Sequence, residues 1–308
     1  MLIQTSGGSS NPKAIVQELI TRASQLLGPL IEKTTASDTR AKTHGKKWPG
    51  RHRLQVLLDA AERSVETLPT AIQEPWLLAE LWHVLRLIEK MKPGAMWQIV
   101  EPCLRDPRSF SHSIAVLMMA EHFELGDFPV RLVPNRLEAS PDLEVRTKGG
   151  NRSWVRIECY MPEVLAGEPR RISKEGAVRI LNKAMRKARR QLESERPGIV
   201  AICTYNQIPE HLDTLKTVSR QRLSRKPRPN LIGLIVFSLN TMISALDRQF
   251  LFFPRLYFEF IANHYYEGPI KFSFDDSDNQ HESTVTPVQI TELGSRTLLM
   301  RQALKRRN

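Results

Sequence analysis

The chain has little cysteine, no long apolar run and too few acids to balance its bases, and each shortage narrows its class. Only three cysteines occur among 308 residues, Cys103, Cys159 and Cys203, far apart and with no CxxC pair. Neither a disulfide framework nor a structural zinc site of closely spaced thiolates is expected, and a reducing cytoplasm is the expected setting. The longest apolar stretch, residues 231–239, is the length of a strand and far short of a bilayer span, so no membrane partner is expected. Residues 1–10 lack the basic and apolar regions of a secretion signal. The glycine patterns that cradle phosphates are missing, as is a GxSxG nucleophile turn. The eight histidines include no HExxH pair. Hydrolysis through a covalent intermediate therefore has no support. The acid deficit is the last shortage: 33 Asp and Glu face 45 Lys and Arg, a net charge of +12 and a pI near 9.8. That balance points to a polyanionic partner, nucleic acid first; DNA is expected before RNA, a preference that charge does not itself supply.

What is present reads as a globular chain long enough to bury a large core, 41% hydrophobic and 25% charged. Residues 12–32 carry Ile15, Leu19, Ile20, Ala23, Leu26 and Leu27 at helical spacing. Further helices are expected over 54–67 and 74–91, the second closing before Lys92-Pro93-Gly94. Between the first two lies a basic stretch, 33–53, expected as an exposed linker whose Lys46, Lys47 and Arg51 contact phosphate. Residues 1–109 thus form an expected helical region.

From residue 110 the pattern changes. An apolar helix over 111–125 carries Glu121, and strand-like segments follow at 129–134, 143–146 and 154–160, with a Lys-Gly-Gly-Asn turn at 148–151. A basic helix over 173–195 contains Lys183, Arg186, Lys187 and Arg190 and ends at Pro197-Gly198. Apolar runs at 199–204 and 231–239 suit strands buried on both faces. Between them a second basic loop, 220–229, holds Arg222, Arg225 and Lys226. Residues 110–308 are expected to form an α/β domain with a C-terminal extension.

Two acids stand in the strand-like segments: Asp142 after Pro141, and Glu158 in the run 154–160. A hairpin could bring their carboxylates together, where they repel unless a cation or a proton lies between them. Hard divalent ions take such oxygen ligands and fill their remaining positions with water and phosphate. Plainer roles stay open for each residue. Glu158 could pair with Arg156 at the surface, Asp142 could serve a turn, and Glu121 could be a solvated helix end. Lys183 and Lys187 could simply line the wet face of their helix.

The order helix, three strands, helix, strand, built around Pro141-Asp142 and Val155-Arg-Ile-Glu-Cys-Tyr160, resembles the PD-(D/E)XK or restriction-endonuclease-like nuclease superfamily over about residues 110–240. The resemblance implies a mixed central sheet flanked by helices and a nuclease that hydrolyses phosphodiester bonds with Mg²⁺ (or Mn²⁺). It further implies Asp142 and Glu158 as catalytic metal ligands, the Cys159 carbonyl as another donor, and Glu121 as an outer ligand. The family's motif lysine is replaced by Tyr160, a phenol that is neutral at pH 7. Some members supply the lysine from a neighbouring helix. Lys183 and Lys187, four residues apart on one helix face, are the expected substitutes. Arg186, Arg190 and the basic segments would grip the sugar-phosphate backbone. The alternatives are a nuclease-like module that binds nucleic acid without cutting, and a protein-interaction module. Cutting both strands of a duplex would call for a homodimer.

Overall fold

The computed structural model describes residues 12–43, 52–67, 75–92, 94, 96–133, 142–147, 153–162, 171–192, 197–205, 207, 209–225, 230–246 and 249–268. The side chains of Pro12, Ile15, Pro75, Asp142, Pro209 and of residues 31–43, 189–191 and 239–256 lie outside that description. The chain divides into two compact units, one of residues 1–90, 241–254 and 285–308, the other of residues 91–240 and 255–284.

In the first unit, α1 (Pro12–Thr43), α2 (Arg53–Thr67) and α3 (Pro75–Met91, through Lys90) are the described helices. Val16, Leu19, Ile20, Ala23, Leu27 and Leu30 make one buried stripe on α1, which packs along α2 through Leu54, Leu57, Ala60 and Ala61. Arg53 clamps Glu80 with two hydrogen bonds of 2.6 and 3.0 Å, and Arg22 meets Glu89 at 2.5 Å. The linker expected from residue 33 begins later than the sequence pattern implied. α1 runs on through Thr43 because, between Leu30 and Gly45, the sequence has no glycine or proline to stop it, although its apolar periodicity has already ended. Lys46, Lys47 and Arg51 lie outside the described residues.

The second unit holds α4 (Trp97–Arg105), α5 (Phe110–Leu125), β1 (Val130–Val133), β2 (Asp142–Arg146), β3 (Trp154–Tyr160), α6 (Lys174–Gln191), β4 (Gly198–Tyr205) and α7 (Pro209–Arg225). It also contains residues 231–240 of β5 (Leu231–Leu246) and 255–262 of β6 (Gln249–Ala262). The strands form one mixed sheet in the order β1-β2-β3-β4-β5-β6. β1 with β2 and β2 with β3 pair antiparallel, while β3 with β4 and β4 with β5 are parallel. The expected α/β class is therefore observed, with a mixed sheet between helices. β4 is buried along its whole length, as an interior parallel strand must be.

Each face of the sheet has its own cover. The almost wholly buried α5 packs on β1, β2 and β3, and the Cys203 thiol points at the Ala115 carbonyl oxygen of α5 at 4.0 Å. On the other face, α6 and α7 share an apolar cluster with Val200, Ile202, Leu234 and Val236. Ser173 caps α6, its Oγ accepting from the Gly176 N–H at 3.1 Å. The basic loop expected over 220–229 needs correction. Arg220 to Arg225 form the last turns of α7, which buries Leu212, Leu215, Val218 and Leu223 at helical spacing before Pro227 and Pro229. Sequence pattern also missed α4, which carries Pro102 within it, and the edge strand β6.

One close approach requires glycine. A Cβ on Gly198 would stand 2.6 Å from the Arg156 carbonyl oxygen and 2.4 Å from Leu192 Cδ2, so β4 can start against β3 only without a side chain. Gly198→Ala is expected to destabilise the protein by about 1–3 kcal/mol in urea denaturation. By contrast Gly28→Ala, at a helical position with nothing within 4 Å, should be neutral or stabilising by up to about 1 kcal/mol.

Candidate active site

Strand alternation along β3 sorts its side chains between the two faces. Val155, Ile157 and Cys159 turn toward α5, and Arg156, Glu158 and Tyr160 turn the other way. The last residue pair of the β2–β3 ladder is Leu143 with Ile157. Continued by one residue, that register sets backbone position 142 opposite Glu158. The two acids singled out from the sequence thus occupy facing positions at one end of the ladder.

Glu158 is only 2% exposed. A carboxylate so deeply buried requires a charged or hydrogen-bonding partner. The Lys187 Nζ provides one, 2.8 Å from Glu158 Oε1, and lies 3.1 Å from His112 Nε2 of α5. Lys187 can reach the sheet because it flanks the buried stripe of α6, formed by Ala177, Ile180, Leu181, Ala184 and Ala188. Lys183, one turn earlier, is exposed. Of the two lysines expected to restore the missing cation, Lys187 is the one beside Glu158. Glu158 is interior and not at the surface, and Arg156 stands opposite Glu144 in the β2–β3 register. Tyr160 packs against the α6–α7 cluster, so the residue in the motif-lysine position serves the core.

His112 lies beside the lysine as a neutral ring. Burial, and secondarily the Lys187 charge, push its pKa down from 6.5 to about 3. At neutral pH the ring is uncharged, and Nε2 accepts from the ammonium while Nδ1 carries the proton. Cys159 points its thiol away from Glu158. A hydrogen bond with Cys203, then burial, raise its pKa well above the usual thiol value, so it stays protonated.

The remaining sequence candidates are more scattered. Glu121 is buried in α5 nine residues beyond His112, or about 14 Å of helix. The α5 side chain of His112 lies beside Lys187. Arg186 is exposed on α6, and the Arg190 side chain is outside the described residues. Arg222 is half-buried and Arg225 exposed in the last turn of α7, and Lys226 is outside the described residues. Among the described residues, no group of three or more His, Cys, Asp or Glu side chains is arranged to hold a metal ion. No helix among them is long and apolar enough to cross a membrane. Sequence reasoning missed His112 because its only local signal was a polar ring between Ser111 and Ser113 at the start of an apolar helix. Comparisons with protein-family models, curated proteins and solved structures give no match.

Two outcomes follow from the burial of this cluster. Lys187→Ala removes the ammonium beside the buried Glu158 carboxylate and should cost about 3 kcal/mol, with part recovered when Glu158→Gln is added. For His112, the unfolded chain takes up a proton below 6.5 and the folded chain only near 3. Its contribution to stability is therefore intact above 6.5 and declines as pH falls through that interval, by up to about 1.4 kcal/mol per pH unit. Urea midpoints measured across the interval should vary less steeply with pH in His112→Asn than in the wild type.

Proposed function

We propose that this chain is a metal-dependent nuclease of the restriction-endonuclease-like type, with its motif lysine delivered by α6 instead of β3. The observation that carries the reading is the 2.8 Å contact between Lys187 Nζ and Glu158 Oε1. Supporting it are the helix, three-strand meander, helix and parallel strand that frame the site, and the register that sets position 142 opposite Glu158.

The donor set suits Mg²⁺ or Mn²⁺. Such an ion needs only one or two carboxylates and leaves its other positions to water and phosphate, so an all-protein cage of three ligands is not required. Glu158 and Asp142 would hold it. The buried thiols Cys159 and Cys203 face α5 and would not compete for it. When bound, the ion would lower the pKa of a water molecule and draw charge from the phosphate. The Lys187 ammonium, fixed between Glu158 and His112 and only 21% exposed, would stabilise negative charge growing on the phosphoryl oxygens. Neutral His112 would hold that ammonium in place without adding a competing charge. A net charge of +12 would draw nucleic acid to the site.

The test is cleavage of labelled single- and double-stranded DNA and RNA with Mg²⁺, with Mn²⁺ and with a chelator. Metal-dependent cleavage by the wild type should fall about 100-fold or more in Glu158→Gln, Asp142→Asn and Lys187→Met. Wild-type silence with both metals, or full activity of Glu158→Gln, would sink the reading. Silence combined with retained binding would point to a nucleic-acid-binding module that does not cut.

A further inference from the structure

On β1, β2 and β3, Arg131, Glu144 and Trp154 form a second cluster that the proposed chemistry does not use. In the β1–β2–β3 register Arg131 stands opposite Glu144, Glu144 opposite Arg156, and Arg146 opposite Trp154. Directly opposed residues share a face, and so do alternate residues along a strand. These side chains therefore lie on the face that also bears Glu158, with α5 against the opposite one. Along β3, Trp154 is four residues from Glu158, a distance of about 13 Å.

The Arg131 guanidinium is held before any ligand arrives. Its Nε and Nη2 donate to Glu144 Oε2 at 2.7 and 2.6 Å, and its Cζ lies 4.1 Å from the centroid of the Trp154 ring. Glu144 is almost fully covered, whereas the Arg131 side chain remains 51% exposed. A planar cation fixed over an indole with half its surface open is a stacking platform. Bases stack on arginine planes and on aromatic rings when they are unpaired, and a duplex does not offer them. Arg146 and Arg156, both half-buried on the same face, add positive charge for a phosphate backbone running toward Glu158.

From this we infer that the β1–β3 face binds single-stranded nucleic acid, with an unpaired base stacked on the Arg131–Trp154 platform and the backbone directed along β3 toward Glu158. The inference shares with the proposed function the premise of a nucleic-acid ligand, but it does not require cleavage. It is tested by fluorescence anisotropy in the presence of a chelator, with a labelled oligothymidylate and a duplex of equal length as probes. The wild type should bind the single strand more tightly than the duplex. Arg131→Lys keeps the charge and a bond to Glu144 but loses the plane, and should weaken single-strand binding about tenfold while changing duplex binding less than about twofold. Arg146→Ala should weaken both and lower the salt slope by about one. Arg179→Ala, exposed elsewhere on α6, should bind as the wild type does. Thermal melts establish that each variant is folded, and oligothymidylate should quench tryptophan emission less in Trp154→Phe than in the wild type.

Wild-type affinity in Arg131→Lys, a preference for duplex, or no binding by the wild type would overturn the inference. Its failure is separable from that of the proposed chemistry. If Glu158→Gln abolishes cleavage while Arg131→Lys binds normally, the platform falls and the nuclease reading stands. If nothing is cut but Arg131→Lys loses single-strand binding, the platform stands alone.

Discussion

Glu158 buries its carboxylate in the middle of β3, and the ammonium of Lys187, 2.8 Å away on α6, is its charged partner. Taking two such charges from water costs several kcal/mol per ion, and their attraction offsets this only when the geometry is close. The surrounding α/β unit is built to keep it close. The stripe from Ala177 to Ala188 lays α6 on the sheet, Ser173 fixes where that helix begins, and Gly198 lets β4 start flush against β3. Weakening any of these would let the charges separate while still buried. A buried pair of this kind is poor evidence for stability but a strong constraint on which helix lies over which strand. In the proposed nuclease it has a chemical use as well, since the same cation would meet the charge that develops on a phosphate.

His112 adds to that constraint from the opposite layer. It belongs to α5, which packs on the face bearing Cys159, yet its ring lies 3.1 Å from the lysine that serves Glu158. The depressed pKa of the ring matters here. A protonated imidazole would repel the ammonium and compete for Glu158, whereas the neutral ring only accepts a hydrogen bond.

Much of this was legible in the sequence where local periodicity carried the signal. The apolar run of α5, the alternation in β3 and the stop at Pro197-Gly198 each marked their element, and together they placed Asp142 and Glu158 on neighbouring strands. The choice between Lys183 and Lys187 was half legible. Four residues turn a helix by about 40°, and that step carries position 187 toward the buried stripe and leaves 183 in solvent. Charge misled where it masked spacing. The arginines at 220, 222 and 225 suggested a loop, but Leu215, Val218 and Leu223 beneath them keep α7 intact. The partnership of His112 with Lys187 left no local trace, because it depends on two helices distant in sequence meeting at the end of a ladder.

The two polar clusters on the Glu158 face share one design: each holds an exposed or partly exposed cation in place with a buried acid. Glu158 does this for Lys187, and Glu144 does it for Arg131. A surface of unpaired lysines and arginines would attract a polyanion more strongly but would have to order long side chains on binding, at about 0.5–1.5 kcal/mol for each. Prepaired cations avoid most of that ordering, yet each acid cancels part of the local field. Long-range attraction must then come from charge placed elsewhere, and the net +12 of the chain supplies it. For a single-strand-binding nuclease such a division is coherent: the whole molecule gathers the ligand, and two rigid cations set where a base stacks and where a phosphate sits.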